Sequence, residues 1–228
     1  MTAADSMYNL LNLTPPANPN GTNLSGQAPP LLIWGASSSV GSCALQFAAA
    51  SGCYPIFVTA SAKRHEALKN LGATHCFDYS SPTVINEIHD ELGRLQAGPI
   101  QYVFDAVAMD PNPLAAAGAE FILLPNAKLL STVVRHDKRF QMPLATPHLD
   151  FRTRLPGTSD IINIPGEPEA RQKTWDALQC AVDNYGKSFK LPPIDVFEGS
   201  GEEALTELHK VANGTRGYGK LAIRHPLK

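Results

Sequence analysis

The stretch from Pro29 to Ala50, PPLLIWGASSSVGSCALQFAAA, constrains the fold of this chain more than any other. Leu31, Leu32, Ile33 and Trp34 form a short unbroken apolar run, as a strand buried on both faces requires, and Gly35 ends it. From Gly41 onward, Gly41, Ala44, Leu45 and Ala48 recur at i, i+3, i+4 and i+7, so the chain leaves a tight small-residue turn as a helix with one small, apolar face. Strand, turn and helix in this order aim the first N–H groups of the helix at whatever lies above the strand end. Helix polarity favours an anion there.

Laid over the pattern G-x-G-x-x-G with its last glycine at Gly41, the other two glycine positions hold Ala36 and Ser38. Gly41 keeps the role of close helix–strand packing, whereas at Ser38 a phosphate has to approach past a Cβ. In exchange, the hydroxyls of Ser37, Ser38 and Ser39 can donate to phosphate oxygens. Plain packing also puts small residues at such a turn, so nucleotide binding and packing both stand as readings at this point.

Tyr54–Thr59 (YPIFVT) reads as a second buried strand, and Ala62–Leu71 as a helix closed by Gly72. In an NAD-binding unit of this kind, an acidic residue about 20 positions beyond the glycine turn accepts hydrogen bonds from the ribose 2′-OH. Ser61 takes that place here, followed by Lys63 and Arg64. With no carboxylate at that position to repel a 2′-phosphate and two cations beside it, the sequence favours NADP(H) over NAD(H). The two cations could instead simply solvate a helix end, but basic residues in a first turn oppose the helix dipole. Tyr79, at the end of a third strand over His75–Tyr79, is placed to flank an adenine or reach the same phosphate, or else is an ordinary rim residue.

Further along, Pro82–Leu95 carries an apolar stripe and predicts a helix, Tyr102–Val107 (YVFDAV) a fourth strand, Ala115–Leu124 a helix and Lys128–Val134 (KLLSTVV) a fifth strand. The alternation specifies an α/β, doubly wound parallel sheet, the Rossmann fold, with ligand outside the carboxyl ends of the strands. Residues 1–30 predict a short helix over Ser6–Leu13 and then a linker rich in Pro, Gly and Asn, with little order between Pro15 and Pro29. His136–Pro168 reads as loops with one strand at Thr158–Ile164, and Glu169–Tyr185 as a helix with Trp175, Leu178 and Val182 inward. The tail, 191–228, predicts a strand at Ile194–Phe197, a capping box of Ser200 and Glu203 opening a helix that presents Leu205, Leu208 and Val211, and a strand at Lys220–Arg224. Three segments result: 1–30, a Rossmann domain over 31–190, and the tail.

A net charge of −2 offers no electrostatic argument for nucleic acid or an anionic membrane as partner. No apolar run approaches the length of about 18 residues that a membrane span needs, and TAADS after Met1 is unlike a secretory signal, so a cytoplasmic protein is expected. Cys43, Cys53, Cys76 and Cys180 lie far apart without a C-x-x-C pair, which predicts buried thiols rather than a structural zinc site. His136, His148 and Tyr185 are nominal proton donors, and none earns a catalytic role from the sequence.

Taken in order, WGASSSVG, SGCYPIFVTASAKRHEALKNLGATHCFDY, YVFDAV, KLLSTVV and GKLAIR resemble the cofactor-binding half of the medium-chain dehydrogenase/reductases. Within them the chain is similar to the zinc-independent fungal trans-acting enoyl reductases of polyketide assembly, with quinone oxidoreductases as cousins. The resemblance covers roughly Leu31 to Arg224, and LGA-x-x-x-x-DY (Leu71–Tyr79) is its most specific part. It implies NADP(H) as cofactor, with Ser37, Ser38, Ser39 and Val40 at the pyrophosphate, Ser61, Lys63, Arg64 and Tyr79 at the 2′-phosphate, and Leu130 with Ser131 on the nicotinamide side. It also implies reduction of a small or carrier-bound enoyl thioester, with no metal.

Family members begin with a GroES-like β-rich domain, whereas TAADSMYNLLNL here resembles the helix that joins the two domains. The expectation is therefore a truncated form, weakly active or inactive alone. Its tail would pack on a GroES-like domain, and its partners would be a polyketide synthase or a separate GroES-like chain. A non-catalytic NADPH-binding fragment or subunit and a quinone oxidoreductase remain as alternatives. A methyltransferase fits less well, since it calls for a ribose carboxylate where Ser61 stands.

Overall fold

A computed structural model describes residues 1–15, 29–107, 119–213 and 219–227. The chain divides into two compact units, Met1–Lys190 and Leu191–Lys228. The first is built on strands β1 (Leu31–Trp34), β2 (Ile56–Ala60), β3 (His75–Asp78), β4 (Ile100–Asp105), β5 (Leu123–Ser131) and β6 (Phe140–Gln141). These form one sheet in the order β3-β2-β1-β4-β5-β6, and every neighbouring pair is parallel. The order reverses between β1 and β4, and a sheet of this kind takes its ligand in the crevice above such a reversal.

Residues alternate across each strand, so the apolar run of β1 feeds two cores. Leu31 and Ile33 face one side with Ile56, Val58, Phe104 and Leu130, while Leu32 and Trp34 face the other with Phe57, Val103 and Leu129. The first side is covered by α1 (Thr2–Ala4), which continues as a π-helix over Asp5–Leu10, by α2 (Ser39–Ala50), and by Leu68 of α3 (His65–Lys69). The second is covered by α4 (Val84–Leu95), through Val84, Ile85, Ile88 and Leu92. The fold expectation is met: helices lie on both faces of a parallel sheet.

Several local expectations need correction. The N-terminal segment is core rather than appendage, with Met7, Tyr8 and Leu11 fully buried, and its helix begins at Thr2 instead of Ser6. The stretch expected to lack order falls mostly on 16–28, outside the described residues. Of the helix expected over Ala115–Leu124, residues 115–118 are likewise outside; Ala119–Ile122 is a 3-10 turn, and Leu123 already belongs to β5. In the region read as loops with one strand, that strand is β8 (Ile161–Ile164), and it pairs antiparallel with an unexpected β7 (Phe151–Arg154). Of the thiols, Cys53 alone is buried, which pushes it up to about 12, and Cys43, Cys76 and Cys180 are half-buried.

Helix α5 (Ala170–Asp183) turns a different face inward from the one expected. Trp175 and Val182 are exposed, and Ala170, Thr174, Ala177 and Ala181 are buried. Close approach is the reason: small side chains let α5 lie against the N-terminal helix, where the Asn9 amide donates to the Ala170 carbonyl and to Thr174 Oγ1, both at 3.1 Å. Bulky residues there would hold the two helices apart.

In the second unit, β9 (Ile194–Phe197) and β10 (Lys220–Ile223) pair in parallel, and α6 (Gly201–Ala212) opens on the expected capping box. Glu203 N–H donates to Ser200 Oγ at 3.3 Å and Ser200 N–H to Glu203 Oε2 at 2.9 Å. Leu205, Leu208 and Val211 are exposed. No helix among the described residues is long and apolar enough to cross a membrane.

The small-residue seam of α5 leads to a direct expectation. Ala177→Leu should lower stability by about 1–3 kcal/mol through overpacking, while Val182→Ala should stay within about 0.5 kcal/mol, as read from urea unfolding midpoints.

Candidate functional site

The residues at the reversal of strand order are tied together before any ligand is considered. Gly35 N–H donates to both oxygens of Thr59, the carbonyl at 3.2 Å and Oγ1 at 3.1 Å, and Ala36 N–H donates to the same carbonyl at 3.0 Å. On the other side, Ala106 N–H donates to the Trp34 carbonyl at 2.9 Å. β2, β1 and β4 are thus stitched at their carboxyl ends, and the turn into α2 stands on this base.

Within the turn, Ser38 is the N-cap of α2, its Oγ accepting from Gly41 N–H at 3.0 Å. Its own N–H donates to the Gly35 carbonyl at 3.0 Å. The N–H groups of Ser39 and Val40, the first two of the helix, find no acceptor among the described residues. Ser37, Ser39 and Val40 are half-buried, so the turn is partly open at the end of β1, with Val40 packed against the core. Gly41 is needed for closeness: a Cβ there would lie 2.6 Å from the Gly35 carbonyl oxygen and 2.9 Å from Ala36 Cα. Gly35 has φ +79°, and a Cβ on it would run into Val107 Cγ2, so the chain leaving β4 packs directly under the turn.

One strand over, Ser61 precedes a 3-10 turn, Ala62–Arg64, without spending its hydroxyl on a cap. Lys63 is exposed and Arg64 half-buried, and both follow the carboxyl end of β2 as Ser38 follows that of β1. Tyr79 stands beyond the end of β3, 55% exposed. These four residues and the serine turn therefore share one edge of the sheet.

Ser61 holds the position after β2 as expected, but a carboxylate stands at the end of the next strand. Asp78, at the end of β3, accepts from the Ser80 hydroxyl at 2.7 Å and from Ser80 N–H at 2.9 Å, and the backbone of Ala62 also helps to hold its charge. The Ser80 bonds above all hold its carboxyl below the ordinary range. An acid thus reaches the 62–64 turn from the third strand instead of the second, from the LGA-x-x-x-x-DY stretch itself.

At the β4 and β5 ends, the expected pair Leu130 and Ser131 is fully buried. Ser131 Oγ donates to Asp105 Oδ2 at 3.3 Å and accepts from Arg135 Nε at 3.0 Å and from Val133 N–H at 3.4 Å. One donor and two acceptor sites exhaust a hydroxyl, so Ser131 has no side-chain capacity left for a ligand. Leu130 packs in the core, and any part the two play on the nicotinamide side must come through their backbone. The centre of this cluster is an ion pair absent from the sequence reading: Arg135 Nη2 lies 2.5 Å from Asp105 Oδ2, with side-chain exposures of 5% and 0%. Burial raises the Asp105 carboxyl above its ordinary value, opposed by Val107 N–H, Arg135 and Ser131. Arginine suits this place because its planar fork serves several acceptors at once.

The nominal proton donors are scattered. His136 Nε2 pairs with the Pro156 carbonyl at 2.9 Å, His148 is half-buried, and Tyr185 lies past the end of α5. No three His, Cys, Asp or Glu side chains gather among the described residues, so these residues do not make a zinc site and no step below runs through one.

A parallel sheet in this order, with a small-residue turn at its reversal, is a Rossmann-type domain, and the chain is similar to the cofactor-binding domain of the medium-chain dehydrogenase/reductases. The family model described as zinc-binding dehydrogenase matches residues 39–118. The trans-enoyl reductase tndF of Aspergillus flavipes is 50% identical over 196 residues, 82% of this chain and 51% of that protein. The trans-enoyl reductase himH of Aspergillus japonicus is 37% identical over 118 residues, 51% of this chain and 31% of that protein. The chain thus spans about half or less of the relatives it matches. Among solved structures, a zinc-dependent alcohol dehydrogenase protein from Rhizobium etli superposes with a TM-score of 0.62 at 20% identity, over 98% of this chain and 60% of that one. CurA from Vibrio vulnificus, solved with NADPH, gives 0.59 at 14% identity, over 100% and 63%. At such identities the structural likeness speaks for the fold alone.

The cap predicts a measurable effect. Ser38→Ala should cost about 1 kcal/mol of stability and Ser38→Asn should restore most of it, as read from thermal unfolding.

Proposed function

We propose that this chain binds NADP(H) across the reversal between β1 and β4 and forms the cofactor half of an enoyl reductase. The observation that carries the reading is the pairing, on one sheet edge, of unspent N–H donors at Ser39 and Val40 with the cation Lys63 one strand away. The first suits a pyrophosphate at a helix N-terminus, and the second a phosphate on the adenosine ribose. The donor set fits the group: Ser37 and Ser39 add hydroxyls to the two N–H groups, and Ser61 keeps its own hydroxyl unspent at the neighbouring turn. Tyr79 would lie against the adenine or the same phosphate.

Asp78 sharpens the choice between the two nicotinamide cofactors. Its charge lies at the Ala62 N–H, so a 2′-phosphate has to be held by Lys63 and Arg64 against it. The Ser80 bonds and the Ala62 N–H spread that charge, which favours coexistence with the phosphate.

When bound, the reduced cofactor supplies a hydride to the β-carbon of an enoyl thioester, whose electrons pass to the thioester oxygen until a proton reaches the α-carbon. This chain's residues hold and orient: the α2 turn fixes the phosphates, and the ends of β4 and β5 floor the far half of the crevice. The names of tndF and himH, both trans-enoyl reductases, support an enoyl substrate reduced in trans; the resemblance of the sequence adds a polyketide synthase as its carrier. In this reading the opposite wall of the cleft is a GroES-like domain, on the same or a separate polypeptide. A second reading, binding without turnover, is favoured by the turn and the cation explaining cofactor binding without any assigned proton donor.

Calorimetric titration tests the proposal. NADPH should bind more tightly than NADH, and Lys63→Ala should weaken NADPH by about tenfold, the worth of one charge-assisted phosphate contact, while leaving NADH within about twofold. Equal losses for both would overturn the phosphate assignment. Oxidation of NADPH with a short enoyl thioester, with and without a GroES-like partner, separates turnover from binding alone.

A further inference from the structure

We propose that Arg135 is a positioning residue for the nicotinamide half of the crevice. It is held wholly inside the protein and acts by locking together the two chain segments that leave β4 and β5. The inference rests on the dinucleotide reading above. If the adenosine end lies over β1 and β2, the other end must cross the reversal and lie over β4 and β5.

The geometry supports a lock rather than a contact. Arg135 stands four residues beyond the end of β5, yet its guanidinium returns to that end, where Nε donates to Ser131 Oγ at 3.0 Å. Nη2 crosses to the neighbouring strand and donates to Asp105 Oδ2 at 2.5 Å and to the Val107 carbonyl at 3.1 Å. Asp105 answers from both ends: Oδ1 accepts from Val107 N–H at 3.0 Å, and its backbone carbonyl accepts from Thr132 N–H at 3.0 Å. Ser131 Oγ, in turn, accepts from Val133 N–H at 3.4 Å. One side chain therefore fixes Ala106–Val107 on one side and Thr132–Val133 on the other.

Val107 is held from a second side. Its side chain lies against Gly35, where no Cβ fits, so the segment after β4 is seated between the Arg135 cluster and the end of β1. The guanidinium itself is 5% exposed, so it shapes the floor without touching what lies on it. Lysine keeps the charge but has no planar fork, and cannot serve Asp105, Ser131 and the Val107 carbonyl in one geometry.

The test uses the full chain, two ligands and one spectroscopic signature. NADPH is compared with 2′-phospho-ADP-ribose, which has the adenosine end and pyrophosphate but no nicotinamide, and the emission of the reduced nicotinamide reports on the far half. In Arg135→Lys, the affinity for 2′-phospho-ADP-ribose should stay within twofold of the unaltered chain. NADPH should bind at least fivefold more weakly and lose the emission change seen with the unaltered chain. Ser131→Ala, which removes the Nε acceptor and keeps the ion pair, should move the same two readouts in the same direction by a smaller factor, so the test survives if Arg135→Lys fails to fold. Equal weakening of both ligands, or no effect on either, would overturn the positioning role. Failure of the unaltered chain to bind either ligand would instead overturn the dinucleotide reading, and this proposal with it.

Discussion

Everything at the candidate site depends on parallel pairing in strict register across the middle of the sheet. Trp34 stands opposite both Thr59 and Asp105, and Asp105 opposite Ser131, so four strand ends finish in one row. Parallel strands need crossovers, and right-handed crossovers on both faces force the order to reverse somewhere. The described strands reverse their order at β1 and β4. A ligand lying along the row meets a helix N-terminus at its centre.

The two halves of the row are built on different physics. Over β1 to β3 the polar groups are on the surface: Lys63 and Tyr79 are exposed, and Asp78 is held by local serine bonds. Charges of this kind are screened by salt and adapt to what binds. Over β4 and β5, Asp105, Ser131 and the Arg135 side chain are buried and bonded to one another, and breaking one partner of such a pair costs about 3–5 kcal/mol. In the proposed reading, one half would select by charge and the other by shape.

The local sequence carried much of this and missed the rest for a consistent reason. Leu31–Trp34 reads as a strand because four apolar residues in a row fit only an element buried on both faces, and the turn after it follows from spacing alone. The inward face of α5 was misjudged because large apolar residues usually mark the core, whereas the Asn9 contact requires close approach and hence Ala177 and Ala181. The strand at Ile161–Ile164 falls within the one expected over Thr158–Ile164, but its partner hid in FRTR, whose alternation is weak, since its residues are half-buried at most. Arg135 and Asp78 were invisible for another reason: an ion pair spanning 30 positions, or a carboxylate reaching a turn from the next strand, is set by topology. Nothing near Arg135 in the sequence marks its partner.

The aim of the phosphate turn is also settled far from the turn. A helix N-terminus points where its axis points, and α2 is fixed at its other end by groups from distant parts of the chain. Tyr8 donates its hydroxyl to the Phe47 carbonyl at 3.4 Å, and the rings of Tyr8 and Phe189 pack on Phe47 at 5.5 and 5.2 Å. Buried Gln46 exchanges two bonds with the Lys190 backbone, accepting from N–H at 2.7 Å and donating to the carbonyl at 2.9 Å. Gly41 then seats the first turn against Gly35 and Ala36 with no room for adjustment. Sites on rigid elements are more accurate than sites on loops. Here the rigidity of the donors at Ser39 and Val40 comes from residues 8, 46, 47, 189 and 190 as much as from the serines, which is why the N-terminal segment belongs to the core of this domain.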